Sequence, residues 1–535
     1  MTVAALSPAG PRAAGNPWLV AAVVVIPTFM EVLDTTIAVV ALRYIVGGLS
    51  ATADDGEWVL TSYLAANAII LPITGWLSAH LGRRNYFLAS IAMFTLSSLL
   101  CGMAGSLGQL ILFRVMQGLA GGGLQPSSQG VLLDAFPPEK QGIAMTLFGF
   151  AALIAPVVGP TLGGWITDSY SWRWVFLINV PVGLLAFAGC YALLRDPDYL
   201  TTQRMELRNR PFHFDPIGLS LLVIVMVSWE VMLSKGQEWD WLGDPFWRIQ
   251  TLAIFFTAGL AGLVFWELRH RNPVVNFRPL RERNFAACCI IIFCAYLALY
   301  AASTSLPGLL QSLFGYDALS AGLVMSPGGV FAVLAMPIVG RLLGRGTDAR
   351  WLIAAGLLVM TAGNYWMSQL NLDISPEQII WPRVLVVAGL AVCFAPANVA
   401  AYLYTPMALR GAAVGLLSLL RNEGGSVGTS LAQTFQERRD QFHTLRLGEY
   451  LDSFNAAANS FLARGQAFFL QQTADPVAAQ RLALQELENL RQQQASALAY
   501  FDSFWMIAVL TFVVAFLVLF MKRSVAEKGA HAGPE

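Results

Sequence analysis

Pro17-Trp-Leu-Val-Ala-Ala-Val-Val-Val-Ile-Pro-Thr-Phe-Met-Glu-Val-Leu-Asp-Thr-Thr-Ile-Ala-Val-Val40 decides the fold class. As a helix rising about 1.5 Å per residue, it is long enough to cross a hydrocarbon layer about 30 Å thick. Its only charged residues are Glu31 and Asp34, three apart and therefore on one helix face. A signal-peptide core is shorter, and only one basic residue, Arg12, precedes the block, so it reads as a first membrane span and not a cleaved leader.

Outward from this stretch, similar blocks recur along the chain. Of 535 residues, 56% are hydrophobic and only 12% are charged, against about 25% charged in an ordinary soluble protein. The breaks between blocks predict spans at 17–40, 57–79, 85–105, 107–133, 141–166, 173–194, 217–235, 249–268, 285–307, 320–341, 351–371, 381–404, 411–434 and 500–521. All fourteen should be helices, since a backbone facing lipid must satisfy its own hydrogen bonds. The expected fold class is an all-α membrane protein. Equal numbers of acidic and basic residues, 33 each, leave no net field to recruit nucleic acid. Cys101, Cys190, Cys288, Cys289, Cys294 and Cys393 show no paired metal-ligand spacing and read as small buried side chains, so no metal site is expected.

Charge sets the orientation. With the N-terminus cytoplasmic, inner segments collect roughly twenty Lys/Arg against about five in short outer loops. The inner set includes Arg83, Arg84, Arg204, Arg208, Arg269, Arg271, Arg281, Arg345 and Lys522. Both termini should then be cytoplasmic, with the stretch 435–498 outside as helices.

The two halves repeat. A shift of 269 positions places Arg114 on Arg383, Pro137 on Pro406, Gly142 on Gly411 and Gly159 on Gly428. Independently, Gly75-Trp-Leu-Ser-Ala-His-Leu-Gly-Arg-Arg84 is echoed by Gly340-Arg-Leu-Leu-Gly-Arg345. Duplication explains four matches at one shift and equivalent places. The expected organisation is a tail (1–16), a six-helix bundle (17–195), a two-helix insert with its linkers (196–284), a second six-helix bundle containing 435–498 (285–521) and a tail (522–535). Duplicated bundles around an axis along the membrane normal work by rocking about a midplane site, so transport leads before any motif is considered.

Ionisable groups inside spans mark function, since each costs about 2.5 to 3.5 kcal/mol on insertion scales. Asp34 and Arg114 lie at similar depth, about 10 Å from the outer ends of spans one and four, and are read as a pair. Opening a cavity around Asp34 could load and release a proton, with Glu31 and Glu230 as further coupling candidates. Two readings stay open: coupling, or a permanent lock between two helices. For Glu230 the alternative is snorkelling to the interface near Trp229 and Trp239. Arg421 and Glu423, with Asn422 between them, either line the cavity or neutralise each other. Trp58, Tyr63, Asn67, Gln117, Tyr296, Tyr300, Asn364 and Tyr365 are candidate polar and aromatic handles of a substrate pocket, against interfacial anchoring for the Trp and Tyr. Pro156, Gly159, Pro160, Gly163 and Gly164 give span five missing amides and a flat face, for bending or for ordinary close packing.

Together these segments resemble the major facilitator superfamily, specifically its fourteen-span drug:proton antiporters of the EmrB/QacA type. Leu33-Asp-Thr-Thr-Ile-Ala38 resembles the first-span signature, with Val39 and Arg43 departing where Asn and Pro are usual. Arg114 and Gly118 match the fourth-span motif, whose arginine the family links to proton coupling. Ala155 to Gly164 is similar to the antiporter motif that separates exporters from importers. Gly75, Gly82, Arg83 and Arg84 match the loop motif of the conformational switch, but Ala79 and His80 stand where many relatives have Asp and Arg. Trp172-Arg-Trp-Val-Phe-Leu-Ile-Asn-Val-Pro181, Gly236-Gln-Glu-Trp-Asp-Trp241 and the long outer segment resemble EmrB-like pumps in particular.

The resemblance implies a proton-coupled multidrug exporter of a bacterial inner membrane, driven by the proton gradient without a cofactor. It would work with an EmrA-like periplasmic adaptor and an outer-membrane channel. Such pumps tend to carry amides at the positions of Glu31 and Glu230, so carboxylates there imply a more acidic cavity that takes cationic amphiphiles. The alternative is export of one endogenous product, such as a siderophore, lipid or fatty-acid derivative. No nucleotide loop, metal-ligand spacing or nucleophile motif supports an enzyme. A receptor would bind without net flux.

Overall fold

The computed structural model describes residues 16–525 except 137–139, 197–199, 202–203, 206–214, 271–272, 407–408 and 452–453. Arg12, Pro137, Arg208 and Arg271 thus lie outside the described residues, as do the side chains of Pro156 and Pro160. Among the described residues every regular element is helical.

The first half contains α1 (Pro17–Gly48), α2 (Trp58–Leu81), α3 (Arg83–Met103), α4 (Leu107–Gly121), α5 (Leu124–Ala135), α6 (Gln141–Ser169) and α7 (Asn179–Leu193). The insert is α8 (Pro216–Lys235) and α9 (Arg248–Arg269). The second half contains α10 (Arg283–Ser312), α11 (Ala318–Gly344), α12 (Ala349–Ser368), α13 (Pro376–Leu403), α14 (Arg410–Gly448), α15 (Ala456–Thr473) and α16 (Pro476–Ala515). Ten helices among the described residues are long and apolar enough to cross a membrane. The other four blocks are also helical: α4 with α5, α6, α12, and α14, whose apolar run is interrupted by Arg421, Asn422 and Glu423.

Local chemistry starts and stops these helices. Asn16 caps α1 by accepting from the Trp18 amide at 3.0 Å, and Pro17 follows where a missing N–H does no harm. Asp215 and Asp475 do the same before Pro216 and Pro476. The fourth apolar block breaks at Gly121-Gly-Gly123, just before Pro126. A side chain at Gly123 would meet the Tyr86 hydroxyl at 2.4 Å. Gly82 turns the chain between α2 and α3 at φ +86°, where other residues are strained.

Within the first half, α1 packs on α6, α2 on α4, and α3 on α4 and α7; in the second half, α10 packs on α14, α11 on α13, and α12 on α13 and α16. The halves meet through α2 against α14 and α6 against α11, which are equivalent pairs with the halves exchanged. The helix of the last span begins at Pro476, well before the expected 500, and forms a hairpin with α15 outside the bundle. α14 likewise runs on to Gly448, so most of 435–498 is helical.

Candidate functional site

Two polar clusters occupy the interior. The first lies wholly within the first half. Arg114 is fully buried and donates from Nη1 to Asp34 Oδ2 at 2.6 Å and to Gln117 Oε1 at 2.8 Å. Its Nε donates to the Val59 carbonyl at 3.1 Å. Asp34 Oδ1 accepts from Gln117 at 2.9 Å and from Asn179 at 2.7 Å, and Ser98 accepts from the same two amides. The Tyr63 ring lies 4.2 Å from the guanidinium carbon. Both carboxylate oxygens are therefore occupied, which a charge buried in hydrocarbon requires.

Small residues bring the helices close enough for this. A side chain at Gly118 would meet the Tyr63 carbonyl at 2.4 Å. Gly159 and Gly163 seat α6 directly on Thr36 and Ile37, just beyond Asp34 on α1, and Gly164 is buried beside them. These span-five glycines thus pack against the helix that carries the acids.

The second cluster joins the halves. Glu31 accepts from Asn67 at 3.1 Å, from Tyr63 at 3.4 Å and from Gln125. Gln125 in turn accepts from Arg421, and Asn422 donates to Asn67 at 2.9 Å. Arg421 faces the rings of Phe148 and Tyr296 at 5.4 and 5.8 Å, Tyr296 stacks on Tyr300, and Tyr300 lies against Gly425. One further turn along α5, Gln129 donates to Asn398 at 2.7 Å.

Several expectations change. Glu230 does not snorkel: it is 2% exposed, accepts from Ser426 at 3.1 Å and lies against the Glu423 carboxyl. The reason is that α8 packs on α2 and α14, so this face covers the junction between the halves. Trp229 stacks on Phe256 of α9, at 4.6 Å. Arg421 and Glu423 do not neutralise each other, because residues two positions apart on a helix point about 200° apart. Gln117, expected among the pocket residues, bonds instead to Arg114, Asp34 and Ser98. Asn364 bonds back to the Met360 carbonyl, and Tyr365 is exposed, on a helix packed against α13 and α16.

The loop motif acts at two levels. Arg83 pairs with Asp134 at the end of α5, and the Arg84 amide donates to Asp196 at 2.8 Å. Gly75 faces the second half, where a side chain would lie 2.9 Å from the Gly411 backbone. Its counterpart Gly340 faces Thr146 and Ile143 of α6.

Ser98, Gln125, Gln129, Asn179 and Asn398 were not anticipated. Their signal was present: Gln125 and Gln129 are amides one turn apart in an apolar block, and such groups need partners.

The description Major Facilitator Superfamily matches residues 24–429. The chain belongs to that superfamily. The multidrug export protein EmrB of Escherichia coli (strain K12) is 34% identical, over 95% of this chain and 95% of its own. The fatty acid resistance protein FarB of Neisseria gonorrhoeae is 34% identical, over 81% of this chain and 84% of its own. Among solved structures, the major facilitator superfamily proton:xylose symporter XylE superposes with a TM-score of 0.61 at 13% identity, covering 96% of this chain and 98% of that one, a likeness of fold alone.

Proposed function

We propose that this major facilitator protein is a fourteen-span multidrug exporter of a bacterial inner membrane, with both termini cytoplasmic. It moves amphipathic, including cationic, compounds outward as protons move inward. The observation that carries the reading is the hydrogen-bonded line Glu31–Gln125–Arg421, which joins a carboxylate of one half to a guanidinium of the other at their junction. A cationic headgroup competing for Glu31 would loosen that line, and a proton on Glu31 would release the headgroup. Substrate and proton thereby become alternatives at one carboxylate, which is what antiport needs.

Asp34 and Arg114 position α1 for this exchange, and the proton passes through Glu31, Asp34 or the Glu230 and Glu423 carboxyls. Those last two face each other, with Trp229 beside Glu423, and a shared proton would link the two carboxyls. Outside, Phe454 just before α15, Phe468 on α15 and Val477 on α16 are exposed, a surface suited to a periplasmic adaptor that hands substrate to an outer-membrane channel.

The test is uptake of tetraphenylphosphonium into inside-out vesicles under an imposed inside-acid gradient. Uptake should depend on the gradient and be lost in Glu31→Gln; gradient-independent uptake would sink the antiport reading. Loss in Asp34→Asn as well would include the first cluster in coupling. Deleting residues 435–498 should spare vesicle uptake and abolish resistance in cells if an adaptor docks there. A second reading, export of a fatty-acid-type metabolite, is favoured by the similarity to FarB. It predicts laurate resistance without tetraphenylphosphonium uptake.

A further inference from the structure

The shift of 269 that places Arg114 on Arg383 also places Asp34 on Ser303. The second pair meets as the first does: Arg383 Nη2 donates to Ser303 Oγ at 2.8 Å. Gln129 and Asn398, hydrogen-bonded to each other, are separated by that same 269. Repeat mates can touch only on the axis relating the halves, so the two arginine sites lie on opposite sides of it at equivalent positions.

What differs is the acceptor. Arg114 has a carboxylate, an amide oxygen and a carbonyl. Arg383, 1% exposed, has one neutral hydroxyl, while its Nε and Nη1 have no hydrogen-bond partner. Among the described residues no carboxylate pairs with it. A guanidinium does not shed its proton, and burying it without a counter-charge is strongly unfavourable. An anion at this point would remove that penalty and use both idle N–H groups.

The surroundings suggest which anion. Ser303 is half-buried, so the site has an open side. It lies on one face of α10 with Tyr300 and Tyr296, three and seven residues earlier, and that face leads to Arg421 in the central cluster. A headgroup at Arg383 would let an apolar body lie along these rings.

We propose that Arg383 and Ser303 form a binding site for the oxyanion headgroup, carboxylate or sulfonate, of an amphiphilic substrate. The site gives this exporter an anionic substrate class besides the cations suited to Glu31. The binding claim stands by itself; the flux claim rests on the export reading.

The test uses the purified full chain and taurocholate, a permanently charged sulfonate, below its micellar concentration. Taurocholate should raise the wild-type Tm by about 2 °C or more and leave Ser303→Asp unmoved, since that variant carries its own carboxylate. Without ligand, Ser303→Asp should melt at or above wild type. In inside-out vesicles the ratio of taurocholate to tetraphenylphosphonium uptake should fall about tenfold in Ser303→Asp and in Arg383→Gln. No shift in wild type, an equal shift in Ser303→Asp, or an unchanged ratio overturns the site. If chloride replacing gluconate gives the whole shift and taurocholate adds nothing, the site takes inorganic anions and the amphiphile assignment fails. A taurocholate shift with no driven uptake of either probe would defeat the export reading and leave the site standing.

Discussion

Asp34 and Glu230 are both buried carboxylates, yet their surroundings are opposite. Asp34, inside one half, accepts from Arg114, Gln117 and Asn179. Glu230, at the junction of the halves and the insert, accepts only from Ser426 and otherwise faces Glu423. The same contrast extends to their neighbourhoods. Within the first half, polar groups are cross-linked from α1 to α7; between the halves, the links are single, as from Gln125 to Arg421, Asn422 to Asn67 and Gln129 to Asn398. A rigid half and a sparsely bonded junction are what rocking requires, because the parts that must separate should have few bonds to break.

The largest effect tests the rigid side. Arg114→Ala leaves Asp34 buried without its cation, which should cost about 3 to 5 kcal/mol and lower the Tm in detergent by more than any change at the junction. If Arg114→Ala melts within a degree or two of wild type, the first cluster is not a lock and the contrast collapses. Asp34→Asn should do less damage, since amides can still bond to Gln117 and Asn179.

Next comes the helix crossing at Gly75. Gly75→Val would push a side chain into the Gly411 backbone, from which even a Cβ atom would lie only 2.9 Å away, and overpacking of this kind costs about 1 to 3 kcal/mol. Because the strain falls between halves and not within one, uptake should drop by more than the Tm change explains. A Tm loss with normal uptake would place Gly75 in the static scaffold.

Glu423→Gln removes one of two facing carboxyls. The Tm should stay level or rise by about 1 kcal/mol equivalent, because an amide can donate to Glu230 where a carboxylate cannot. Uptake at a fixed gradient should lose part of its dependence on absolute pH. A Tm fall as large as that of Arg114→Ala would mean that Glu423 is held as tightly as Asp34.

How much of this the sequence carried follows the same division. The apolar blocks, the acids of α1 and Arg114 are local or periodic signals; among the described residues ten helices are long and apolar enough to span, and Asp34 pairs with Arg114. The partners across the junction are not such signals: that Arg421 reaches Gln125 and not Glu423, or that Glu230 turns inward, depends on how helices hundreds of residues apart are rotated. Helix lengths were also partly hidden. Hydropathy ends where lipid ends, whereas α14 and α16 continue as helices into polar sequence. The break between α4 and α5 has its signal in Gly121-Gly-Gly123 and Pro126, but an apolar run over 107–133 masks it.

The smallest effect concerns how the insert is fastened. The α8–α9 loop bonds to α14 beyond the junction: Trp241 Nε1 donates to Thr434 at 3.0 Å, and Arg438 pairs with Asp240 at 2.5 Å. Asp244 shapes this loop. The Arg248 guanidinium, helped by the amides of Phe246, Arg248 and Ile249, pulls its carboxyl down to about 2 from an ordinary value near 3.9. A lowered value means that the charged form stabilises the fold above about pH 4 and that this contribution fades as the pH falls through about 2. Asp244→Asn should therefore lower the Tm at pH 7 by less than about 2 °C, as expected for an ion pair near water, with the difference shrinking toward pH 2. A difference that grew on acidification would reverse the sign and remove Asp244 from the fastening of the insert. If the small loss at pH 7 also left uptake unchanged, the insert's outer attachment would belong with the rigid side of the molecule and its inner face, at Glu230, with the moving one.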